Sequence, residues 1–233
     1  MESQGQATQK EKKSLVINMI IKFGFIYLFI WLLLILPAGT WRYWEVYVYF
    51  GILFLMIASF LPYFLKHDPA FLKRRLQFVE KDKQQKVMQF YALIFYLGVF
   101  PLCALDKRFG WSSIPLVLIV FMDLIVMTGY LIIFTVFKQN SYASRIIQVE
   151  KGQTLITTGL YGIVRHPMYF GALILYMATP IALGSYWGLL LMLFLPVYIV
   201  LRLLNEESLL IKDLPGYREY CQQARYHLIP YIW

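Results

Sequence analysis

Two charged pairs in the C-terminal third of the chain have residue types that could hold an amino-acid group. Arg165 and His166 precede Pro167, and proline suits the first turn of a helix, so both cations would stand at a helix N-terminus. Cations are unfavourable at the positive end of the helix dipole. An anion such as a carboxylate that binds between them would compensate for this repulsion. Glu206 and Glu207 end a very apolar helix, and adjacent carboxylates need cationic or donor partners. Together the pairs suit a zwitterion, with the cations facing its carboxylate and the glutamates facing its ammonium.

Each pair also has a simpler interpretation. Arg165 could contact a lipid phosphate while His166 caps the helix, and Glu206 with Glu207 could begin a solvated tail. However, a helical hairpin between the pairs would return both of them to the same face of the membrane. Ionisable groups at membrane depth are costly and by default functional, which favours one shared pocket.

Small and aromatic residues nearby could complete such a pocket. Gly159 and Gly162 would let the backbone approach a ligand closely, although loop glycines are usually turn residues. The aromatic residues of the tail include Tyr217, Tyr220, Tyr226 and Trp233. They could stack on a purine ring, attract a sulfonium through cation–π contact, or anchor the tail at the membrane interface.

The composition of the chain requires a bilayer. Of 233 residues, 60% are hydrophobic and 15% are charged, with a mean hydropathy of +0.59, whereas a soluble domain has roughly 45–50% apolar and about 25% charged residues. A net charge of +9 would indicate nucleic acid on a soluble protein, but here the charges follow the membrane topology, and we expect no nucleic-acid partner. Cys103 and Cys221 form neither a disulfide framework nor a metal-ligand spacing, so we expect no metal.

Six apolar runs could cross the bilayer. Four reach the roughly 20 residues that a spanning helix needs, and the last two are shorter and separated by residues 184–186. The runs are Leu15–Leu36, Trp41–Leu65, Val87–Leu105, Ser113–Phe137, Pro167–Leu183 and Trp187–Leu204. We predict an all-α integral membrane protein of about six transmembrane helices, the last two a short helical hairpin, with a cytosolic C-terminal cofactor-binding region.

This pattern divides the chain into three parts. They are a disordered N-terminal tail at 1–14, a four-helix transmembrane region at 15–137 and a membrane-embedded catalytic region at 138–233. A basic loop at 66–86 has the apolar residues of a short amphipathic helix, which would lie on the anionic inner leaflet. Two β-prone runs around a glycine turn predict a small hairpin at 146–157.

The positive charges indicate the orientation of the protein. If the N-terminus is cytosolic, most lysines and arginines fall in cytosolic segments, whereas the outer segments hold only Arg42, Lys107 and Arg108. Cytosolic loops of membrane proteins carry such an excess. We therefore expect a multi-pass protein with both termini and the active site on the cytosolic face.

Four short motifs in the C-terminal region resemble those of one membrane enzyme family. They are Gly-Leu-Tyr at 159–161, Arg-His-Pro-x-Tyr-x-Gly at 165–171, Glu-Glu at 206–207 and a closing Pro-Gly-Tyr…Tyr…Arg-Tyr-x-Leu-Ile-Pro. In this order and separation, over about residues 145–233, they resemble the isoprenylcysteine carboxyl methyltransferase family. The related phospholipid N-methyltransferases share a sparser version. His227 stands where many relatives have an arginine.

The resemblance implies S-adenosylmethionine as the cofactor and a lipophilic or membrane-associated methyl acceptor that arrives laterally from the bilayer. The residues that would bind the cofactor are Gly159, Tyr161, Arg165, His166, Pro167, Tyr169, Gly171, Glu206, Glu207, Tyr217 and Tyr220. Catalysis would rest mainly on positioning. His166 is the candidate base for an acceptor that must lose a proton, and Arg165 or Arg225 could hold an acceptor carboxylate.

Several functions remain open at this point. The expected acceptor is an isoprenylcysteine-type carboxylate, with a phospholipid amine or a small thiol as alternatives. Some sterol reductases share a related C-terminal helical core and use a nicotinamide cofactor, but no G-x-G-x-x-G fingerprint occurs here. A non-enzymatic transporter or scaffold predicts polar residues in the early spans, which hold only isolated ones such as Lys22 and Asp123.

Overall fold

The protein is a bundle of helices. A computed structural model describes residues 2–75, 83–143 and 153–233, and within them the only strand-like pairing is one parallel bridge between Val164 and Tyr226. The helices are α1 (Glu2–Ala38), α2 (Trp44–His67), α3 (Pro69–Arg75), α4 (Lys83–Phe109), α5 (Leu116–Gln139), α6 (Pro167–Ala182), α7 (Tyr186–Met192), α8 (Phe194–Asp213) and α9 (Tyr217–Gln223), with a 3-10 turn at Gly159–Gly162. The prediction of an all-α fold is confirmed.

Five helical segments among the described residues are long and apolar enough to cross a membrane, which agrees with the predicted multi-pass architecture. They are Val16–Ala38, Trp44–His67, Gln89–Phe109, Leu116–Gln139 and Tyr186–Asp213. The sixth apolar helix, α6, has 16 residues and so spans about 24 Å at 1.5 Å per residue, less than the roughly 30 Å of hydrocarbon. The last segment is longer than predicted and is broken at Leu193, where Pro196 cannot donate to the carbonyl four residues earlier.

Two predicted segments differ in the structure, and a third falls largely outside it. The tail at 1–14 is expected to be disordered, but helix α1 begins at Glu2, so residues 2–14 are helical. In the basic loop, α3 forms as a helix, but Phe71 and Leu72 are fully buried against the bundle and do not face lipid. Most of the predicted hairpin at 146–157 lies outside the described residues, and residues 153–157 have no regular secondary structure.

Helices α5 and α6 approach each other closely because both have a glycine at the contact. A methyl group on Gly129 would lie 2.6 Å from the carbonyl oxygen of Gly171 and 2.8 Å from the Cβ of Leu175. A methyl group on Gly171 would lie 2.8 Å from the carbonyl oxygen of Gly129. Small residues at helix interfaces permit this approach in membranes. The contact fixes α6, whose N-terminus carries Arg165 and His166.

A polar cluster fixes the opposite end of α6. Asp106 at the end of α4 is 1% exposed and accepts hydrogen bonds from the hydroxyls of Ser112 (2.6 Å) and Ser185 (2.5 Å). Ser185 also caps α7 by accepting from the backbone N–H of Gly188 at 2.9 Å. Within the described part of the chain, both residues that donate to this buried carboxylate lie in connecting segments, which ties α4 to the turn between α6 and α7.

We predict that Gly129→Ala destabilises the bundle, because the added methyl overlaps backbone that cannot move without separating α5 from α6. Overpacking of this kind costs typically 1–3 kcal/mol. The thermal unfolding midpoint in detergent measures the loss. Gly51→Ala in α2 is the matched control, because nothing lies within 4 Å of its added methyl. Equal midpoints for the two variants would contradict the close approach.

Candidate active site

The segments that carry the predicted site residues surround one cavity. The cavity lies at the N-terminal end of α6, which begins at Pro167. The empty volume of the cavity is about 840 Å³, and this figure includes space that is open to solvent. Its wall includes Tyr161, Arg165, His166, Pro167, Tyr169, Arg202, Glu206, Tyr217 and Tyr220. Residues that are far apart in the sequence therefore meet here, because α6 and α8 form the hairpin that returns the chain to its starting face.

The buried carboxylate of Glu207 is the centre of the charged network beside the cavity. Glu207 is 6% exposed, and its Oε1 lies 3.1 Å from Nε2 of His166 and 3.0 Å from Nδ1 of His227. Nη1 of Arg165 lies 3.3 Å from both carboxylate oxygens. Three donors from two segments thus converge on one residue of α8, which is how a buried charge is normally tolerated.

Arg165 binds the chain itself with all of its nitrogens. Nη1 pairs with Glu207, Nε donates to the carbonyl of Ala224 at 2.7 Å, and Nη2 donates to the carbonyls of Cys221 at 2.9 Å and Arg225 at 3.5 Å. A guanidinium has five N–H donors, and this arrangement uses every nitrogen. Arg165 therefore holds the tail in place, a geometry that does not support its expected role as a clamp for a ligand carboxylate.

The backbone of the same segment pairs with the tail. The N–H of Arg165 donates to the carbonyl of Tyr226 at 2.9 Å, and the N–H of His166 donates to the carbonyl of His227 at 3.0 Å. His227 is stacked on Trp233 with ring centroids 4.8 Å apart. Together with Arg165, these bonds place the tail directly beside the N-terminus of α6.

A second polar chain connects Arg202, Tyr169 and Glu206 in the cavity wall. The hydroxyl of Tyr169 donates to Oε2 of Glu206 at 2.6 Å and accepts from Nε of Arg202 at 3.0 Å. Arg202 is 7% exposed, so its charge is held in an environment of low polarity. The wall therefore presents a guanidinium and a carboxylate side by side, joined by one phenol.

Aromatic residues form another part of the wall. The hydroxyl of Tyr161 accepts from Nδ2 of Asn140 at 2.9 Å, and the hydroxyl of Tyr220 donates to the carbonyl of Tyr161 at 2.7 Å. Burial raises the pKa of Tyr161 to about 12, an effect that the hydrogen bond from Asn140 opposes. Burial also raises the pKa of Tyr217 and of Tyr220. These phenols stay neutral near neutral pH.

The hydroxyl of Tyr217 has no partner among the described residues, although it is buried in the cavity wall. Tyr217 is 3% exposed. An unsatisfied buried hydroxyl costs about 1–3 kcal/mol, and natural proteins keep such groups mainly where a ligand or ordered water completes them. The hydroxyl of Tyr217 is therefore an unsatisfied group behind the surface of the wall.

Four of the predicted site residues do not line the cavity. A side chain at Gly159 would collide with Gln139, so this glycine, with φ of +63°, shapes the 3-10 turn. Gly171 packs against α5, and Arg225 is exposed and contributes its backbone carbonyl to Arg165. Glu207 lies behind the wall as the partner of the histidines.

Several wall residues were missed by the sequence analysis. Arg202 precedes Glu206 by four positions, so both lie on one face of α8, and this i,i+4 spacing was the signal available. Asn140, which bonds Tyr161, follows the end of α5 and has no distinguishing pattern. The apolar wall residues include Met168, Leu209, Leu210 and Leu214. Their sequence pattern is that of any amphipathic helix.

Fold and site define a multi-pass membrane protein with a polar cavity at one end of a helical hairpin, and comparisons with known proteins agree with this class. Residues 117–214 match the model of the phospholipid methyltransferase family. This match extends from α5 to the end of α8, the helices that hold most of the cavity.

One solved structure is similar over most of the chain. It is that of the eukaryotic intramembrane Ras methyltransferase ICMT, an isoprenylcysteine carboxyl methyltransferase, with a TM-score of 0.52, 19% sequence identity and coverage of 93% of this chain and 86% of that one. The fold is therefore shared. The predicted resemblance to this family, with its relation to phospholipid methyltransferases, is confirmed.

A curated relative of another activity matches a shorter part. The Delta(14)-sterol reductase TM7SF2 of Mus musculus is 33% identical over 92 residues, which covers 37% of this chain and 22% of the reductase. The chain therefore spans only about a fifth of that protein. The match covers too little of either protein to assign the activity of the reductase to this chain. A reductase therefore stays the alternative to a methyltransferase.

We predict that Arg165→Gln releases the tail from the N-terminus of α6, because the amide replaces a guanidinium that bonds Glu207 and three carbonyl groups. Removing one partner of a buried ion pair costs about 3–5 kcal/mol. Thermal unfolding measures the loss, and limited proteolysis after Gln223 measures the release. Arg225→Gln is the control, with a change within about 0.5 kcal/mol because Arg225 is exposed. Equal protease resistance of both variants would contradict this account.

Proposed function

We propose that the protein is a membrane-embedded methyltransferase that uses S-adenosylmethionine and acts on a lipophilic acceptor. The observation that carries the proposal is a cavity wall in which Arg202 and Glu206 lie side by side, both bonded to the hydroxyl of Tyr169. A ligand with a carboxylate, an ammonium and an aromatic base matches this set of groups. The similarities to methyltransferases support the same conclusion.

The cavity residues fit the cofactor in the following way. Glu206 would accept a hydrogen bond from the ammonium of the cofactor's amino-acid group, and Arg202 would donate one to the carboxylate of that group. Aromatic faces for the adenine or the sulfonium would come from Tyr161, Tyr217 and Tyr220. When bound, the cofactor supplies an electrophilic methyl group on sulfur.

The chain contributes positioning to this reaction. The cavity wall holds both polar partners on rigid helices, and Tyr169 fixes their separation by bonding Glu206 and Arg202 at once. Orientation of two reactants can supply about 7–11 kcal/mol of a barrier. The network around Glu207 keeps the N-terminus of α6 and the tail in place while the reactants bind.

The acceptor is proposed to be lipophilic because one part of the wall is apolar. Met168 lies on α6, Leu209 and Leu210 lie on α8, and Leu214 directly follows α8. The resemblance favours an isoprenylcysteine-type carboxylate, whereas the match of residues 117–214 equally supports a phospholipid amine. A small thiol is the third possible acceptor.

We also propose that both termini and the cavity face the cytosol. This orientation rests on the distribution of lysines and arginines, of which only Arg42, Lys107 and Arg108 fall on the opposite side. Arg42 and Lys107 stand at the ends of α2 and α4 that lie away from the cavity. The cytosol is also the compartment that would supply a water-soluble cofactor to this face.

A nicotinamide-dependent reductase is the second candidate, supported by the similarity to the sterol reductase. It requires a site for the phosphates of a dinucleotide. The cations of the cavity wall are Arg165, which is bonded to backbone carbonyls, and Arg202, which is bonded to Tyr169.

We predict that S-adenosylmethionine binds saturably to the purified protein and that Glu206→Gln weakens this binding about tenfold or more, because the bond between its carboxylate and the ammonium of the ligand is charge-assisted. Isothermal titration calorimetry in detergent measures the affinity.

Tyr231→Phe is the control for this titration, because Tyr231 is 81% exposed and lies outside the cavity wall. It should leave the affinity unchanged. Absence of binding to folded wild-type protein would contradict the methyltransferase proposal, and a titration with nicotinamide cofactors would then test the second candidate.

A further inference from the structure

The protonation of the acceptor divides the possible reactions into two kinds. A carboxylate is already an anion and attacks the methyl group directly, whereas an amine in its ammonium form or a thiol must lose a proton before or during the attack. Only the second kind needs a general base. This inference rests on the proposed function and concerns which kind of acceptor the site is built for.

The hydrogen bonds of Glu207 fix the tautomer of His166. Arg165 stays charged and lies 3.3 Å from both oxygens of Glu207, which holds that carboxyl in its ionised form. An ionised carboxylate can only accept hydrogen bonds. Nε2 of His166, 3.1 Å from Oε1, must therefore carry the proton, and in the neutral ring Nδ1 then has a lone pair.

Nδ1 of His166 has no partner within the described residues. His166 occupies the N-cap position of α6 but makes no side-chain capping bond. His166 lines the cavity. A ring nitrogen without a partner among the described residues therefore belongs to a residue that borders the space where the acceptor would bind.

We propose that His166 is the general base of the reaction, that Glu207 orients it, and that the acceptor is a lipophilic amine or thiol whose nucleophilic atom carries a proton. His227 is a positioning residue, because its Nδ1 donates to the same oxygen of Glu207 that His166 bonds. In other enzymes too, a histidine that acts as a base is oriented by a hydrogen bond to a third group, here the buried carboxylate.

The proposed step balances in atoms and charge. The lone pair of the acceptor nitrogen or sulfur forms a bond to the methyl carbon, the bond from that carbon to the sulfonium breaks, and the leaving sulfur keeps the electron pair. The proton of the acceptor moves to Nδ1 of His166. The resulting imidazolium lies 3.1 Å from Glu207, which stabilises it, and it returns the proton to solvent through the open side of the cavity.

Other groups in the wall are less suited to this role. Burial raises the pKa of Tyr161 to about 12 and raises that of Tyr217 and of Tyr220, so these phenols do not ionise near neutral pH. Glu206 already accepts a hydrogen bond from the Tyr169 hydroxyl at 2.6 Å. The charged and titratable groups around His166 are Arg165, Tyr169, Arg202, Glu206, Glu207 and His227.

His166→Gln tests the proposal, because the Gln amide can still donate to Glu207 but has no basic nitrogen. The full chain is reconstituted in lipid nanodiscs with methyl-labelled S-adenosylmethionine and one of three probes: phosphatidylethanolamine, dodecanethiol or N-acetyl-S-farnesylcysteine. We expect wild type to methylate the amine or the thiol, and the variant to lose at least about a hundredfold in kcat. KM and the calorimetric affinity for S-adenosylmethionine should stay within about threefold.

Two controls separate a base from a structural residue. Added imidazole should restore part of the activity of His166→Ala and leave wild type unchanged, which a merely structural role would not produce. His67→Gln changes an exposed histidine at the end of α2 and should leave the rate unchanged.

The outcomes are distinguishable from a failure of the proposed function. Unchanged kcat in His166→Gln overturns the inference. So does wild-type protein that binds S-adenosylmethionine but methylates only the carboxylate probe or none of the three. Wild-type protein that does not bind S-adenosylmethionine overturns the proposed function itself, and the inference with it.

Discussion

The structure of the site depends on one buried carboxylate. Glu207 stands in an apolar helix and would be very costly without partners, so the fold must bring cations to it. Arg165 and His166 come from the start of α6, and His227 comes from the tail. Because these segments are separated by the whole hairpin, the charged network can form only when the hairpin has folded. Completion of the fold and assembly of the site are therefore one event.

The hairpin is held at both ends by different means. At the cavity end the bonds are ionic, whereas at the opposite end Asp106 accepts from the serines of connecting turns. Between them, the hydrophobic effect contributes little to helix association in lipid, and close packing has to replace it. Gly129 and Gly171 supply that packing. The same contact sets the position of the helix end that carries His166, so packing in the membrane controls geometry in the cavity.

The sequence predicted the spans well, because a bilayer requires every backbone group to bond within its own helix and therefore demands long apolar runs. It also indicated that Arg165, His166 and the two glutamates would share one face. It could not predict what Arg165 binds, since three of its partners are backbone carbonyls, which every residue has. The position of Gly171 against α5 was equally hidden, because its partner Gly129 belongs to a distant helix. Arg202 was detectable from its spacing to Glu206, whereas Asn140 was not.

The central claim is that this cavity transfers a methyl group from a water-soluble donor on the cytosolic side to a molecule in the membrane. Inside-out and right-side-out membrane vesicles that contain the protein can be supplied with methyl-labelled S-adenosylmethionine, and label in the organic extract is then counted. The account predicts label in the extract of inside-out vesicles, little in right-side-out vesicles, and none above background with Glu206→Gln. Equal background counts in both preparations, or label only in right-side-out vesicles, would contradict it.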